Sequence, residues 1–447
     1  MVGIVRVETE LAEKLKGLYP DGAFKDCIWD GKQFIELTQE KINNVSLKEK
    51  KEVSADKLLF PIVSKRQALL NIAQAILSIS PSIIRPQINS VIFWVKPKVI
   101  RAINWFSLQK QVSPIKLKKF FKSNNANHCG VDNKKVSSAI KNESIFSSGD
   151  VLISIGLDWD HQFYKDFYTL RTDSDVKIIT CCYDLIPVLY PQYCVADVAN
   201  LFASYFIELA DGSDEILCIS QQSQRDLNNL LNRTGARLVE TSVFELGDNV
   251  PSSQDDISDE VHRLANENFI LFVSSIERRK NHEVIYRAYH LLCQEGKSKE
   301  LPIMVFVGMP GWGVSELLKD IELDPFVKGK IQILNHVNDA ELRKLYDATL
   351  FCVFPSLYEG WGLPVGEALA LGKPVLCSNR GSLPEVGGNF AVYMDPWDTA
   401  AWAQQIYRLS TDNDYRCELS KKILSGYKKR TWENAALQVK SVIDKHV

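Results

Sequence analysis

A chain of 447 residues is too long for one ordinary core, so two units of roughly 200 residues each are expected. With 45% hydrophobic residues, 24% charged residues and a formal net charge of −2, the composition excludes disordered and fibrous classes and argues against bulk nucleic-acid binding. The 10 cysteines include no CxxC pair and the 7 histidines no HxxxH or HExxH spacing, so no zinc site is expected.

At the start of the chain, residues 1–20 lack an apolar core behind a basic start, which predicts no export signal and reduced thiols in the cytoplasm. Residues 7–18 carry a helical pattern. The apolar stretch 68–84 is broken by Asn71, Gln74 and Pro81, so it does not read as a membrane span. Residues 57–131 hold 12 Lys and Arg and no Asp or Glu, which leaves the rest of the chain strongly acidic. The basic residues stand beside Phe93, Trp94, Trp105, Phe106, Phe120 and Phe121. Two readings fit: a segment that lies on an anionic membrane surface at the inner face, or an insertion that buries a few aromatics.

Further along, strands are predicted at 151–155, 176–182 and 215–219, with helices at 198–210 and 222–231. Asp158-Trp159-Asp160 spells DxD with His161 beside it. Three letters recur often by chance, so this reads as a turn, and no metal is predicted. Residues 248–260, rich in Ser, Asp and Pro, read as a linker. Strands follow at 269–274, 303–307, 331–334, 350–354 and 374–378, alternating with helices at 282–294, 314–320, 339–346 and 364–371. Short apolar runs alternating with amphipathic helices imply a parallel sheet covered on both faces, a doubly wound α/β domain.

The most specific stretch is 354–375, FPSLYEGWGLPVGEALALGKPV. A strand ends near Phe354, a glycine-containing loop follows, and a helix starts near Leu363. Ligands of open α/β sheets bind beyond the carboxyl ends of the strands, and N–H groups at a helix start attract anions. Gly360, Trp361, Gly362 and Leu363 would offer such N–H groups. Glu367 would hydrogen-bond vicinal hydroxyls, as a carboxylate does on ribose, and Glu359 would reach a sugar across a diphosphate. Taken alone, two carboxylates at this spacing read equally as solvent-exposed glutamates near a helix start. Arg279 and Lys280, between a strand and a helix, would hold the diphosphate, with Arg278 an equal candidate to Arg279.

The stretch resembles the E-x7-E signature of family-4 retaining glycosyltransferases, the group 1 glycosyl transferases of the GT-B fold, with a mannosyltransferase-like cast. Similar pieces follow in order at 269–282 (FILFVSSIERRKNH), 335–348, 378–387 (SNRGSLPEVG) and 432–443. The resemblance is continuous over 269–445, partial over 149–247, slight over 1–50 and absent over 57–131. It implies two Rossmann-like domains facing a cleft: 1–247 for the acceptor, 261–430 for the nucleotide sugar, and a helix over 431–447 crossing back. It assigns Arg279 and Lys280 to phosphate and Glu359 to the transferred sugar. Glu367 goes to ribose, Val337 near the nucleobase and Gly3 beside the donor phosphate. Many relatives place the arginine earlier, where this chain has Ser275 or Ile276.

Gly3-Ile4-Val5-Arg6 resembles the glycine loop after the family's first strand, for which only Met1 and Val2 precede it. Tyr183-Asp184 stands where many relatives have His-Asp in contact with the donor sugar. It reads either as that contact or as a packed tyrosine with a helix-capping aspartate. The resemblance further implies GDP-mannose as the favoured donor, no cofactor, and a glycan or lipid-linked acceptor in surface polysaccharide assembly. A nucleotide-sugar epimerase, a phosphorylase or a non-catalytic binding protein on the same fold are the other readings.

Overall fold

The structure, a computed structural model, describes residues 3–29, 34–36, 145–156, 164–194, 198–250 and 253–447. The basic segment 57–131 and the Asp158–His161 turn lie outside the described residues. All described residues fall in one compact unit, Met1–Glu36 with Ser144–Val447.

Helix α1, Gly3–Gly17, opens the described chain, so Gly3 to Arg6 form the first turn of a helix and not a glycine loop. Strands β1 (Cys27–Trp29) and β2 (Phe34–Glu36) pair antiparallel. A four-stranded parallel sheet follows in chain order: β3 (Val151–Ile153), β4 (Lys177–Cys182), β5 (Glu215–Cys218) and β6 (Glu240–Val243). Its connections carry α2 (Tyr164–Asp173), α3 (Ile186–Leu189), α4 (Val198–Gly212) and α5 (Gln221–Thr234). Every residue of β5 is buried, as expected of a central parallel strand.

After α6 (Asp259–Leu264), the second sheet has six parallel strands: β7 (Phe269–Val273), β8 (Ile303–Val307), β9 (Ile331–Leu334), β10 (Cys352–Phe354), β11 (Val375–Ser378) and β12 (Val392–Met394). Helices α7 (His282–Gln294), α8 (Ser315–Leu323), α9 (Asp339–Ala348), α10 (Leu363–Ala370) and α11 (Leu383–Gly387) join them. α12 (Thr399–Thr411), α13 (Asn413–Gly426) and α14 (Trp432–Ile443) follow. The sheet order β12-β11-β10-β7-β8-β9 is the doubly wound arrangement, with its switch point between β7 and β10. The loops beyond the carboxyl ends of these two strands are residues 274–281 and 355–362.

Four strands, β1, β2, β6 and β12, are not predicted from the sequence; β6 and β12 lie at the edges of their sheets and are only partly buried, and β6 (ETSV) carries no apolar run. No helix is predicted at α2, α3, α6, α11, α12 or α13; α13 buries only Ile423.

The chain crosses between the lobes near Asp248 and again near Arg430, and the crossings are tied together. Asp248 is fully buried; it accepts from the Tyr427 hydroxyl at 2.7 Å and from the Arg430 N–H at 3.0 Å. The polar stretch read as a linker therefore begins on a pinned hinge. α14 then packs on α1, with Lys14 paired to Glu433 at 3.0 Å.

Candidate active site

The loop after β7 closes in a tight turn, Arg278–Lys280, and ends at Asn281, whose φ of 61° is left-handed. The Asn281 amide donates to the carbonyls of Pro355 at 3.2 Å and Pro396 at 2.8 Å, which ties this turn to the loop after β10. The Leu357 N–H adds a bond to the Arg279 carbonyl at 2.8 Å. Thus two loops 80 residues apart in sequence are fixed against each other at the switch point.

Their side chains converge. Arg279 donates to Glu359 at 2.7 Å, to the Tyr358 carbonyl at 2.8 Å and to Glu277 at 2.9 Å. Lys280 donates to the other Glu359 oxygen at 2.6 Å. Arg278 is exposed, so the structure separates two arginines that the sequence left equal. Ile276, at one position where relatives carry arginine, is fully buried. Glu359 is buried; burial opposes its charge, but Arg279 and Lys280 outweigh it and draw its pKa down to about 2. Burial lowers the Lys280 pKa, with Arg279 adding to the effect. Burial alone would lower that of Arg279, yet Glu359 and Glu277 raise it overall. The cluster holds two cations against Glu359 and Glu277, a site able to grip a diphosphate.

Glu367 sits on α10 and is 3% exposed, so the reading of solvent-exposed glutamates is excluded. One of its oxygens pairs with Arg6 at 2.5 Å and the other accepts from the Tyr346 hydroxyl at 2.9 Å. Gly360, Trp361 and Gly362 are buried in the loop, and Leu363 opens α10. Val337 follows β9, packs partly against the core, and precedes Asn338, which caps α9 with Glu341 in a capping box. The first lobe supplies Tyr183 and Asp184 at the end of β4. The Tyr183 hydroxyl donates to the Ile155 carbonyl at 2.5 Å, and Asp184 accepts from the Ile186 N–H at 2.9 Å. The packed tyrosine is realised, whereas the helix N-cap is Leu185 and Asp184, one residue before it, only accepts from the first helical N–H; burial raises the Asp184 pKa against the pull of Arg279.

The lobes meet directly over this site. Ser223 donates to the Tyr183 carbonyl at 2.9 Å and lies 3.4 Å from that of Gly360. The Tyr358 hydroxyl reaches Asp226 at 2.5 Å. Glu385 of α11 accepts from the N–H groups of Gln221 and Gln222, each at 2.8 Å, at the start of α5. A carboxylate on two orphan N–H groups at a helix start is a strong clasp. Glu385→Ala should therefore lower the unfolding free energy by about 1–2 kcal/mol, read by urea titration.

His282, first residue of α7, stacks on Phe272 with ring centroids 4.1 Å apart and is 1% exposed. Burial, then the Lys280 charge, pushes its pKa down to about 3. An unfolded chain takes up that proton near the ordinary value of 6.5, so stability falls as pH drops from there toward 3. His282→Gln should flatten the slope by up to roughly 1.4 kcal/mol per pH unit, measured by denaturant titration across that range.

Arg6, Tyr346, Gly381 and Glu385 escaped sequence reasoning. All four lie in stretches singled out without a role for them: Arg6 in Gly3-Ile4-Val5-Arg6, Tyr346 in 335–348, and Gly381 and Glu385 in SNRGSLPEVG.

Two parallel-sheet lobes, with cations and a carboxylate joined at the switch point of the second, define a GT-B glycosyltransferase. The family pattern described as Glycosyl transferases group 1 matches residues 253–425. O-antigen chain mannosyltransferase B of Escherichia coli is 32% identical over 271 residues, covering 60% of this chain and 68% of that protein. Serotype-specific mannosyltransferase WbdA of Escherichia coli is 28% identical over 327 residues, covering 69% of this chain but only 39% of that longer protein. Among solved structures, Anabaena Alr3699/HepE in complex with UDP-glucose has a TM-score of 0.52 at 16% identity, covering 66% of this chain and 79% of that one, a likeness of fold. The chain belongs to the group 1 glycosyl transferase family.

Proposed function

We propose that this protein is a retaining mannosyltransferase that moves mannose from GDP-mannose to a glycan or lipid-linked acceptor in surface polysaccharide assembly. The observation that carries the reading is the closure of Arg279 and Lys280 on Glu359 at the switch point. The names of its Escherichia coli relatives support mannose and O-antigen.

In this reading Arg279 and Lys280 turn to the donor diphosphate and neutralise charge on the departing phosphate. Glu359 is left to accept from hydroxyls of the sugar. Glu367 accepts from the ribose diol. The N–H groups at Gly360, Trp361, Gly362 and Leu363 face the phosphates, Val337 the base, and Gly3 lies toward the donor from α1. The bond between sugar carbon and phosphate oxygen breaks, and the bond to the acceptor oxygen forms on the same face. The acceptor proton passes to the leaving phosphate oxygen. Tyr183 already donates to a carbonyl and Asp184 accepts from the Ile186 N–H, so neither is assigned as a base. Donor entry requires Gly360 to part from Tyr183 and Asp184, and reclosure excludes water.

A thermal-shift panel of nucleotide sugars tests the donor: GDP-mannose well above its Kd should stabilise the fold by roughly 3 kcal/mol. Stabilisation by UDP-sugars alone would overturn GDP-mannose. Product NMR should show the anomeric configuration kept, and product analysis with and without acceptor separates transfer from epimerisation. With two cations on the diphosphate, the reaction needs no metal in this reading, and activity should survive EDTA. We assign it to the cytoplasm, at the inner face of the membrane. Among the described residues no helix is long and apolar enough to cross a membrane. If residues 57–131 hold the protein there, binding to anionic vesicles should fall steeply with salt, read by co-sedimentation. Salt-insensitive or absent binding counts against this.

A further inference from the structure

Resting on the reading of Glu367 as the ribose-binding carboxylate, we propose that Arg6 is a positioning residue for the donor. From α1 it holds Glu367 ionised and aimed at the ribose diol.

Arg6 is only 8% exposed. It pairs with Glu367, donates to the Asn249 carbonyl at the hinge, and lies 5.8 Å from the centroid of the Trp432 ring on α14. Three segments distant in sequence thus fix one cation on one carboxylate. A carboxylate has about four acceptor sites; Arg6 and Tyr346 fill one each, which leaves capacity for two hydroxyls. The Arg6 Nε and the Trp432 Nε1 are buried without hydrogen-bond partners.

The charge matters because Glu367 does not stand alone. Asp248, fully buried, lies against Gly366, the residue before Glu367; the Tyr346 hydroxyl of α9 donates to Glu367, and Asp248 and Cys352 of β10 interact with it electrostatically. Tyr427 and Arg430 hold Asp248. Two neighbouring buried carboxylates do not both stay ionised without a compensating cation. Burial already raises the Glu367 pKa, Asp248 adds to the rise, and Arg6 is the largest influence against it. Without Arg6, Glu367 takes up a proton and loses acceptor capacity toward the diol. Lower pH favours that protonation and higher pH reverses it.

Calorimetric titration of the full chain with GDP, UDP and their 2′,3′-dideoxy counterparts tests this. Wild type should prefer the ribose form of the tighter nucleotide. Arg6→Gln should lose roughly tenfold or more of that affinity at about pH 6, regain it toward about pH 9, and bind the dideoxy form as before. Arg6→Lys keeps the charge and should keep the preference. The proposal is overturned if Arg6→Gln binds like wild type, or if its loss is equal for both forms and flat in pH. Should the glutamine variant not fold, a lysine variant with pH-flat, non-selective binding overturns it equally. A Glu367→Gln protein that still discriminates ribose from dideoxyribose instead removes the underlying reading of Glu367, whatever Arg6 does.

Discussion

Lys280→Ala should cut kcat by roughly 10²- to 10³-fold while the protein stays folded. Its ammonium is one of two cations on Glu359, 2.6 Å from one oxygen, and the proposed reaction places it on the leaving phosphate. Removing one member of a buried ion pair usually exposes the fold to an uncompensated charge. Here Arg279 still holds the other oxygen at 2.7 Å, so the carboxylate is not orphaned. Loss of turnover with a nearly unchanged thermal midpoint is therefore expected, checked by steady-state kinetics beside a melting curve. Near-normal turnover by a folded variant would remove Lys280 from the mechanism.

Gly360→Ala should be nearly as damaging to activity, by a different route. A Cβ at this position would lie 2.5 Å from the Tyr183 carbonyl oxygen and 2.8 Å from the Asp184 Cβ. Those atoms belong to the first lobe and Gly360 to the second, so the clash is relieved when the lobes part. We expect about a 10²-fold loss in kcat/KM, from misplacement on the order of 1 Å, with little loss of stability. Gly381→Ala is the control. Its φ is +59° and its Cβ would meet the Glu359 carbonyl at 2.4 Å, within one lobe, where no hinge relieves the strain. That variant should lose several kcal/mol of stability, about the range of severe core lesions. Equal stability losses in the two variants would show that the lobes do not separate at this contact.

Much of this was legible in the chain. The runs FILFV and IMVFV are buried on both faces of the second sheet, and an apolar run of five between amphipathic helices is how such a strand reads in sequence. The helix at His282–Gln294 could be read from its apolar stripe, whereas that at Trp432–Ile443 is expected only from the family resemblance, and the structure adds that the Thr431 side chain caps it. Edge strand β6 could not be read, since its partial burial imposes no such run on ETSV; β12 goes unread although it lies in the apolar run 390–394. The glycine loop expected at Gly3 is helix, because a resemblance in letters carries no information about local backbone bonding.

The sequence by itself determined the doubly wound second lobe, and with it the placing of Arg279, Lys280, Glu359 and Glu367 near strand ends, since those follow from periodicity and local spacing. Only the tertiary structure decided which arginine turns inward, that both Glu367 oxygens are engaged by Arg6 and Tyr346, and that Tyr183 packs on a carbonyl. Such choices depend on which side chains, from 21 to 361 residues apart, meet at the same buried group, and chain order does not encode that proximity locally.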